Sequence, residues 1–63
     1  MSELLTVAEV AGLLRVSTMT VYRLIRTGEL PAVRVGRNYR VRRIDLDLYL
    51  QEKIVEPEQA ADQ

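Results

Sequence analysis

The sequence predicts a mainly helical α+β fold: two helices joined by a tight turn, a two-stranded hairpin, and a third helix packed against them. Two helix-start signals occur within the first 20 residues, apolar spacing changes to alternation after Pro31, and a further amphipathic segment begins near residue 44. A chain of 63 residues is long enough for one small core. We expect a domain over residues 1–53 and a polar, disordered tail over residues 54–63.

The first helix begins with a capping box. Thr6 is the predicted N-cap and Glu9 follows three residues later, while Leu5 and Val10 occupy the flanking apolar positions of a hydrophobic staple. Helical spacing of apolar residues continues to Leu14, where we expect the helix to end.

The second helix begins only two or three residues later. Ser17 is the predicted N-cap, Val16 and Val21 occupy the staple positions, and Gly28 is placed to end the helix in a left-handed conformation. So short a connection predicts two helices that cross at a steep angle.

A β-hairpin is predicted after Pro31 because apolar residues alternate with polar ones. Val33 and Val35 form the first strand, Tyr39 and Val41 belong to the second, and residues 36–38 have turn chemistry. With a three-residue loop, Val35 pairs with Tyr39 and Val33 with Val41 on one face.

The same register places Arg34 opposite Arg40 on the other face of the hairpin. Like charges directly opposite one another cost stability unless another group neutralises them. Arg37 at the tip, with Arg42 and Arg43 beyond, is expected to add to the same positive field.

The segment from Ile44 to Lys53 fits two structures. Its alternation is typical of a strand, whereas the early Asp45 and the continuation through Gln51 favour a helix, which is the interpretation we adopt.

Positive charge is concentrated in one part of a chain whose formal net charge is zero. Residues 15–43 hold all eight arginines and one acid, Glu29, for a formal charge of +7, while the flanking segments are acidic. A polyanion is the simplest partner for such a segment, because contacts between arginine and phosphate release condensed counterions.

On the second helix, a rotation of about 100° per residue places Met19, Arg23 and Arg26 opposite Val21. Ser17 and Thr18 lie at the N-terminus, where free backbone N–H groups favour phosphate. Arginine on the outer face of a helix is more often simply solvated, but solvation does not account for the arginine-rich hairpin.

Duplex DNA is favoured over other polyanions. A helix after a tight turn fits the major groove, and an arginine at a hairpin tip fits a narrow minor groove. Single-stranded RNA platforms use several exposed aromatic rings, and this chain has three tyrosines as its only aromatic residues.

Enzymatic functions are disfavoured because the chain has no histidine and no cysteine. That composition removes common zinc ligands and most nucleophile–base pairs, so we expect no catalytic residue, metal or cofactor. No segment has the length and hydropathy of a membrane span or signal peptide, and a cytoplasmic, nucleoid-associated protein is expected.

Residues 5–50 resemble the small excisionase and MerR-like winged helix-turn-helix DNA-binding domains. Three pieces carry the resemblance: LTVAEVA, VSTMTVYRLIRTGELPAVRVG and YRVRRIDLDLYL. It implies a recognition helix over residues 17–27, a wing over residues 33–41, and a C-terminal packing helix.

The resemblance also implies roles for individual residues. Met19 and Arg23 occupy base-reading positions, and Arg37 with Asn38 occupies the wing tip. Together with the charge pattern, it gives the predicted DNA-binding set: Ser17, Thr18, Met19, Thr20, Tyr22, Arg23, Arg26, Arg34, Arg37, Asn38 and Arg40.

The predicted function is that of a phage excisionase, which binds and bends attachment-site DNA and controls the direction of integrase-mediated recombination. Expected partners are double-stranded DNA, integrase and neighbouring copies arranged head to tail, with no membrane and no small-molecule effector. A small MerR-like transcriptional regulator without an effector domain is the alternative. A protein-interaction module such as an antitoxin is the candidate from another class.

Overall fold

The computed structural model describes residues 3–55 and contains a three-stranded antiparallel sheet with three helices. The elements in chain order are β1 (Leu4–Thr6), α1 (Val7–Leu14), α2 (Thr18–Arg26), β2 (Val33–Val35), β3 (Asn38–Arg42) and α3 (Arg43–Glu52). The predicted winged helix-turn-helix architecture is confirmed. Of the predicted tail, residues 56–63 lie outside the described part of the chain.

The capping box at the start of α1 is confirmed. The Glu9 backbone N–H donates to the Thr6 hydroxyl at 3.0 Å, and the Thr6 N–H donates to the Glu9 carboxylate at 2.8 Å. These reciprocal bonds satisfy two of the donors that a helix start leaves without intrahelical partners.

The turn between α1 and α2 is built around Arg15, whose φ of 60° is left-handed. The Val16 N–H donates to the Ala11 carbonyl at 3.0 Å, which closes the end of α1. A residue with a side chain is disfavoured in this conformation, so the short connection costs some backbone free energy.

Both predicted ends of α2 are confirmed. The Ser17 hydroxyl accepts from the Thr20 N–H at 3.1 Å. At the other end Gly28 has φ of 83°, and the Glu29 N–H donates to the Leu24 carbonyl at 3.0 Å. This is the Schellman pattern, in which glycine adopts the left-handed position without a Cβ penalty.

The sheet has a first strand that the sequence patterns did not predict. Strand β1 pairs with β3, which lies between β1 and β2, and Leu5 is aligned with Val41. Both side chains are buried. Leu5 therefore does more than flank the α1 cap, because it joins the sheet to the core.

The predicted hairpin register is wrong by one residue. The loop contains two residues, Gly36 and Arg37, so that Arg34 pairs with Tyr39 and Val33 pairs with Arg40. Gly36 has φ of 63° at the first loop position, the arrangement that a type II′ hairpin turn requires of glycine.

The shorter loop changes which side chains share a face. Val33 and Val35, expected beside Tyr39 and Val41, lie on the opposite face and are exposed. Arg34 and Arg40 are likewise on opposite faces, so the expected like-charge pair does not exist.

The core lies between α1, α2, α3 and the inner face of the sheet. Its buried apolar side chains are Leu5, Val7, Val10, Ala11, Val21, Leu24, Leu30, Val41 and Leu46. Helix α3 is confirmed as a helix, and Leu46 on this helix is 1% exposed.

An ion pair joins the end of β3 to α3. The Arg42 guanidinium donates to both Asp45 carboxylate oxygens, from Nε at 2.6 Å and from a terminal nitrogen at 3.0 Å. This paired geometry fixes the start of α3, where Asp45 is otherwise buried.

Candidate nucleic-acid interface

The outward face of α2 carries the predicted apolar and basic side chains. Met19 is 79% exposed, and Arg23 and Arg26 are also exposed. Val21 on the opposite side of the helix is fully buried, which confirms the predicted orientation of α2. An open pocket of about 360 Å³ on this face is lined by Ser17, Met19, Thr20, Arg23 and Arg26.

Two of the predicted hydroxyl contacts also have structural roles. Ser17 caps α2, and its hydroxyl lies 3.1 Å from that of Thr20. Thr18, in the first turn, is exposed. The hydroxyl pair fixes the N-terminal turn of α2, from which Met19 projects.

The tip of the hairpin presents Arg37 and Asn38. Arg37 follows the left-handed Gly36, Asn38 begins β3, and both side chains are exposed. The two-residue loop thus makes Arg37 the foremost cation of the wing.

Arg34 and Arg40 have different surroundings. Arg34 lies over the Tyr39 ring at 5.5 Å from its centroid, whereas Arg40 donates to the Tyr39 carbonyl at 3.1 Å. Hydrogen bonds with the Thr6 backbone and side chain lower the pKa of Glu9, and the Arg40 charge on the outer sheet face lowers it further. Only Arg34 of these two arginines shares the sheet face that carries Tyr39.

A cleft separates α2 from the hairpin. It has a volume of about 490 Å³ and is lined by Tyr22, Ile25, Arg26 and Tyr39. The Tyr22 and Tyr39 rings meet edge to face, with centroids 6.2 Å apart and planes inclined at 64°. This contact joins the hairpin to α2.

Tyr39 lines this cleft, although it is not among the DNA-binding residues that the sequence predicts. It was expected to pair with Val35 on one face of the hairpin. A two-residue loop, in place of the predicted three-residue loop, places Tyr39 opposite Arg34 and beside α2.

Arg42 and Arg43, which were expected to add to the positive field, each lie near a carboxylate of α3. Arg42 is bound by Asp45, which raises the pKa of the guanidinium, and Arg43 lies 3.7 Å from Asp47. Within residues 3–55, the arginines without a carboxylate in salt-bridge range are Arg15, Arg23, Arg26, Arg34, Arg37 and Arg40.

The described residues contain no cluster of acidic side chains arranged to hold a metal ion. Over the same part of the chain, no helix has the length and apolar character needed to cross a bilayer.

The model of a family described as "Helix-turn-helix domain" matches residues 4–54. The chain belongs to this family. The match includes all six described elements, from the start of β1 to beyond the end of α3. No solved structure matches the chain.

The curated relatives match part of this chain and are longer than it. Proteins named "Putative DNA-binding protein" in two Mycobacterium tuberculosis strains are 75% identical over 40 residues, covering 64% of this chain and 51% of theirs. "Uncharacterized protein YvgK" of Bacillus subtilis is 61% identical over 44 residues, covering 70% of this chain and 14% of its own. The chain therefore spans about half the length, or less, of these relatives.

Proposed function

We propose that this chain is a sequence-specific duplex-DNA-binding protein that places α2 in the major groove and the β2–β3 hairpin in the adjacent minor groove. The observation that carries the proposal is the contact of Tyr22 with Tyr39. It joins α2 to the hairpin beside a cleft that Arg26 of α2 lines and Arg34 of the hairpin flanks.

The proposed contacts follow the chemistry of each position. Arg23 recognises a base edge in the major groove, where arginine pairs with guanine, and Met19 packs against a thymine methyl group with Thr20 beside it. Arg37 enters the minor groove with Asn38, where a narrow groove attracts guanidinium.

The remaining predicted residues bind the DNA backbone in this proposal. Arg26 and Arg34 have no carboxylate in salt-bridge range within residues 3–55, and they approach the cleft from its two sides. The same role is proposed for Tyr22, for Thr18 and for the N-terminus of α2 at Ser17. Arg40 has the same proposed role but projects from the outer sheet face.

The finer role we propose is that of a phage excisionase that bends attachment-site DNA and directs integrase-mediated recombination in the host cytoplasm. The resemblance of residues 5–50 supports it. A single module buries only about 600–1,000 Å² of protein surface on DNA, so high occupancy favours cooperative neighbouring copies. The exposed acidic side chain of Glu52, at the end of α3, gives a head-to-tail neighbour a group that complements the basic face.

A small MerR-like transcriptional regulator is the second candidate, because the same surface serves a promoter equally well. Two measurements distinguish the candidates: gel shifts with circularly permuted attachment-site fragments, and genomic position relative to an integrase gene. Stepwise complexes whose mobility depends on site position support the excisionase. One unbent complex at a promoter supports the regulator.

The DNA-binding proposal itself is tested with duplexes selected by the wild-type protein from a random pool at low salt. Recovery of a common motif supports it. If no sequence is enriched, and a protein ligand remains bound in the presence of excess duplex, a protein-interaction module is supported instead.

A further inference from the structure

We propose that the cleft between α2 and the hairpin holds the single sugar-phosphate strand that separates the two grooves, with the Tyr22 and Tyr39 hydroxyls donating hydrogen bonds to it. This inference rests on the proposed function. It adds Tyr39 to the DNA-binding residues and gives Tyr22 a defined ligand atom, a phosphate oxygen.

The geometry of duplex DNA requires a strand at this place. A major groove and the adjacent minor groove share one strand as their common wall. If α2 occupies the first groove and the hairpin the second, that strand passes between them. The surface between them is the cleft lined by Tyr22, Ile25, Arg26 and Tyr39.

The cleft has room for this ligand. Its volume of about 490 Å³ falls within the range of roughly 300–1,000 Å³ that is typical of small-molecule sites. Ile25 and the two rings give it apolar walls for the sugar. Arg26 lines the cleft, and the Arg34 guanidinium lies 5.5 Å from the centroid of the Tyr39 ring. Two positive charges therefore flank the cleft.

The tyrosine hydroxyls supply donors that the fold does not use. A phenol donates one hydrogen bond, and a tyrosine hydroxyl that becomes buried in an interface usually finds a partner. Among residues 3–55, neither the Tyr22 nor the Tyr39 hydroxyl has a hydrogen-bond partner, although both rings are packed. Both hydroxyls are therefore available to donate to a phosphate oxygen in the cleft.

If the two rings have only a structural role, replacing either tyrosine by phenylalanine should not change the affinity for DNA. Replacing tyrosine by phenylalanine keeps the edge-to-face contact and the position of Arg34 but removes the donor. The matched control is Tyr49→Phe on α3, where the ring packs on the core and Lys53 lies 5.2 Å from its centroid.

The first measurement is the affinity of Tyr22→Phe, Tyr39→Phe and Tyr49→Phe for a duplex selected from a random pool by the wild-type protein. We expect a loss of roughly tenfold for each of the first two variants, since each loses a hydrogen bond to a charged group, and no change for the third. The salt dependence stays at the wild-type slope, because no cation is removed.

The second measurement replaces single phosphates of that duplex, one at a time, by neutral methylphosphonates. One position on the strand between the grooves should weaken wild-type binding strongly while adding little to the loss in Tyr39→Phe. Such non-additivity identifies a direct contact. Wild-type affinity in both phenylalanine variants, or full additivity at every position, overturns the inference and leaves the DNA-binding proposal standing. Failure of the wild-type protein to enrich any duplex overturns both.

Discussion

Replacing Arg37 by alanine tests the proposed wing contact most directly. Arg37 is exposed at the tip of a two-residue loop and has no carboxylate in salt-bridge range within the described chain, so its removal leaves the fold intact. Loss of a direct arginine contact weakens binding by about 1–3 kcal/mol. This corresponds to an affinity loss of roughly 5-fold to 150-fold at low salt.

The dependence on salt gives a second, independent magnitude. Each neutralised phosphate contributes about 0.9 to the slope of log K against log salt on duplex DNA. Between about 50 and 200 mM salt, the ratio of wild-type to Arg37→Ala affinity should therefore shrink by roughly 3.5-fold. Fluorescence anisotropy with one labelled duplex across this range measures both quantities.

Arg43→Ala is the matched control, because this arginine lies 3.7 Å from Asp47 on α3 and is not placed on the proposed surface. We expect its affinity and its salt slope to remain close to wild type. If Arg37→Ala retains the wild-type slope, or if Arg43→Ala loses as much slope, the assignment of the wing to the minor groove is refuted.

Three further predictions concern the scaffold of the interface. Gly36→Ala should lower the free energy of unfolding by about 1 kcal/mol, because φ is 63° at this position. Gly12→Ala in α1 should raise it by about 0.5–1 kcal/mol, because there is open space around the added methyl group. The two variants should shift the melting temperature in opposite directions. Asp45→Ala should cost about 1–2 kcal/mol after allowance for the half-exposed Arg42 guanidinium, as measured by urea unfolding, and an unchanged midpoint would contradict this role. Because the pKa of Glu9 is lowered in the folded state, its charge stabilises the fold above its usual pKa near 4.5, and this stabilisation is lost as the pH falls through the lowered value. The difference in melting temperature between wild type and Glu9→Gln should therefore vanish in acid. A difference that does not change with pH would argue against this role of the charge.

The helical part of the fold could be predicted from the sequence because its signals are local. The pairing of Thr6 with Glu9, and the stop at Gly28, each involve residues only a few positions apart. The exposed stripe that includes Met19 and Arg23 follows from the helical period alone. These features need no knowledge of distant contacts.

The sheet could not be predicted to the same depth, for two physical reasons. Strand β1 has three residues and is stabilised by pairing with a segment more than 30 positions away, so its own pattern carries little information. The hairpin register depends on whether the loop has two or three residues, and a change of one residue reverses every face. The predicted register therefore put Arg34 and Tyr39 on opposite faces of the hairpin, and the cleft beside Tyr39 could not be predicted.

Thr6 belongs to two elements at once, since it pairs with Arg40 in the sheet and caps α1. The start of β1 is also tied to α3 through the hydrogen bond from the Arg43 N–H to the Glu3 carbonyl, at 2.7 Å. The Tyr22–Tyr39 contact adds a further connection, between the hairpin and α2. Because these connections restrain the hairpin, we expect the duplex rather than the protein to deform when the fit is imperfect. Affinity should then vary with how readily a duplex adjusts its groove widths, even at base pairs that no side chain touches.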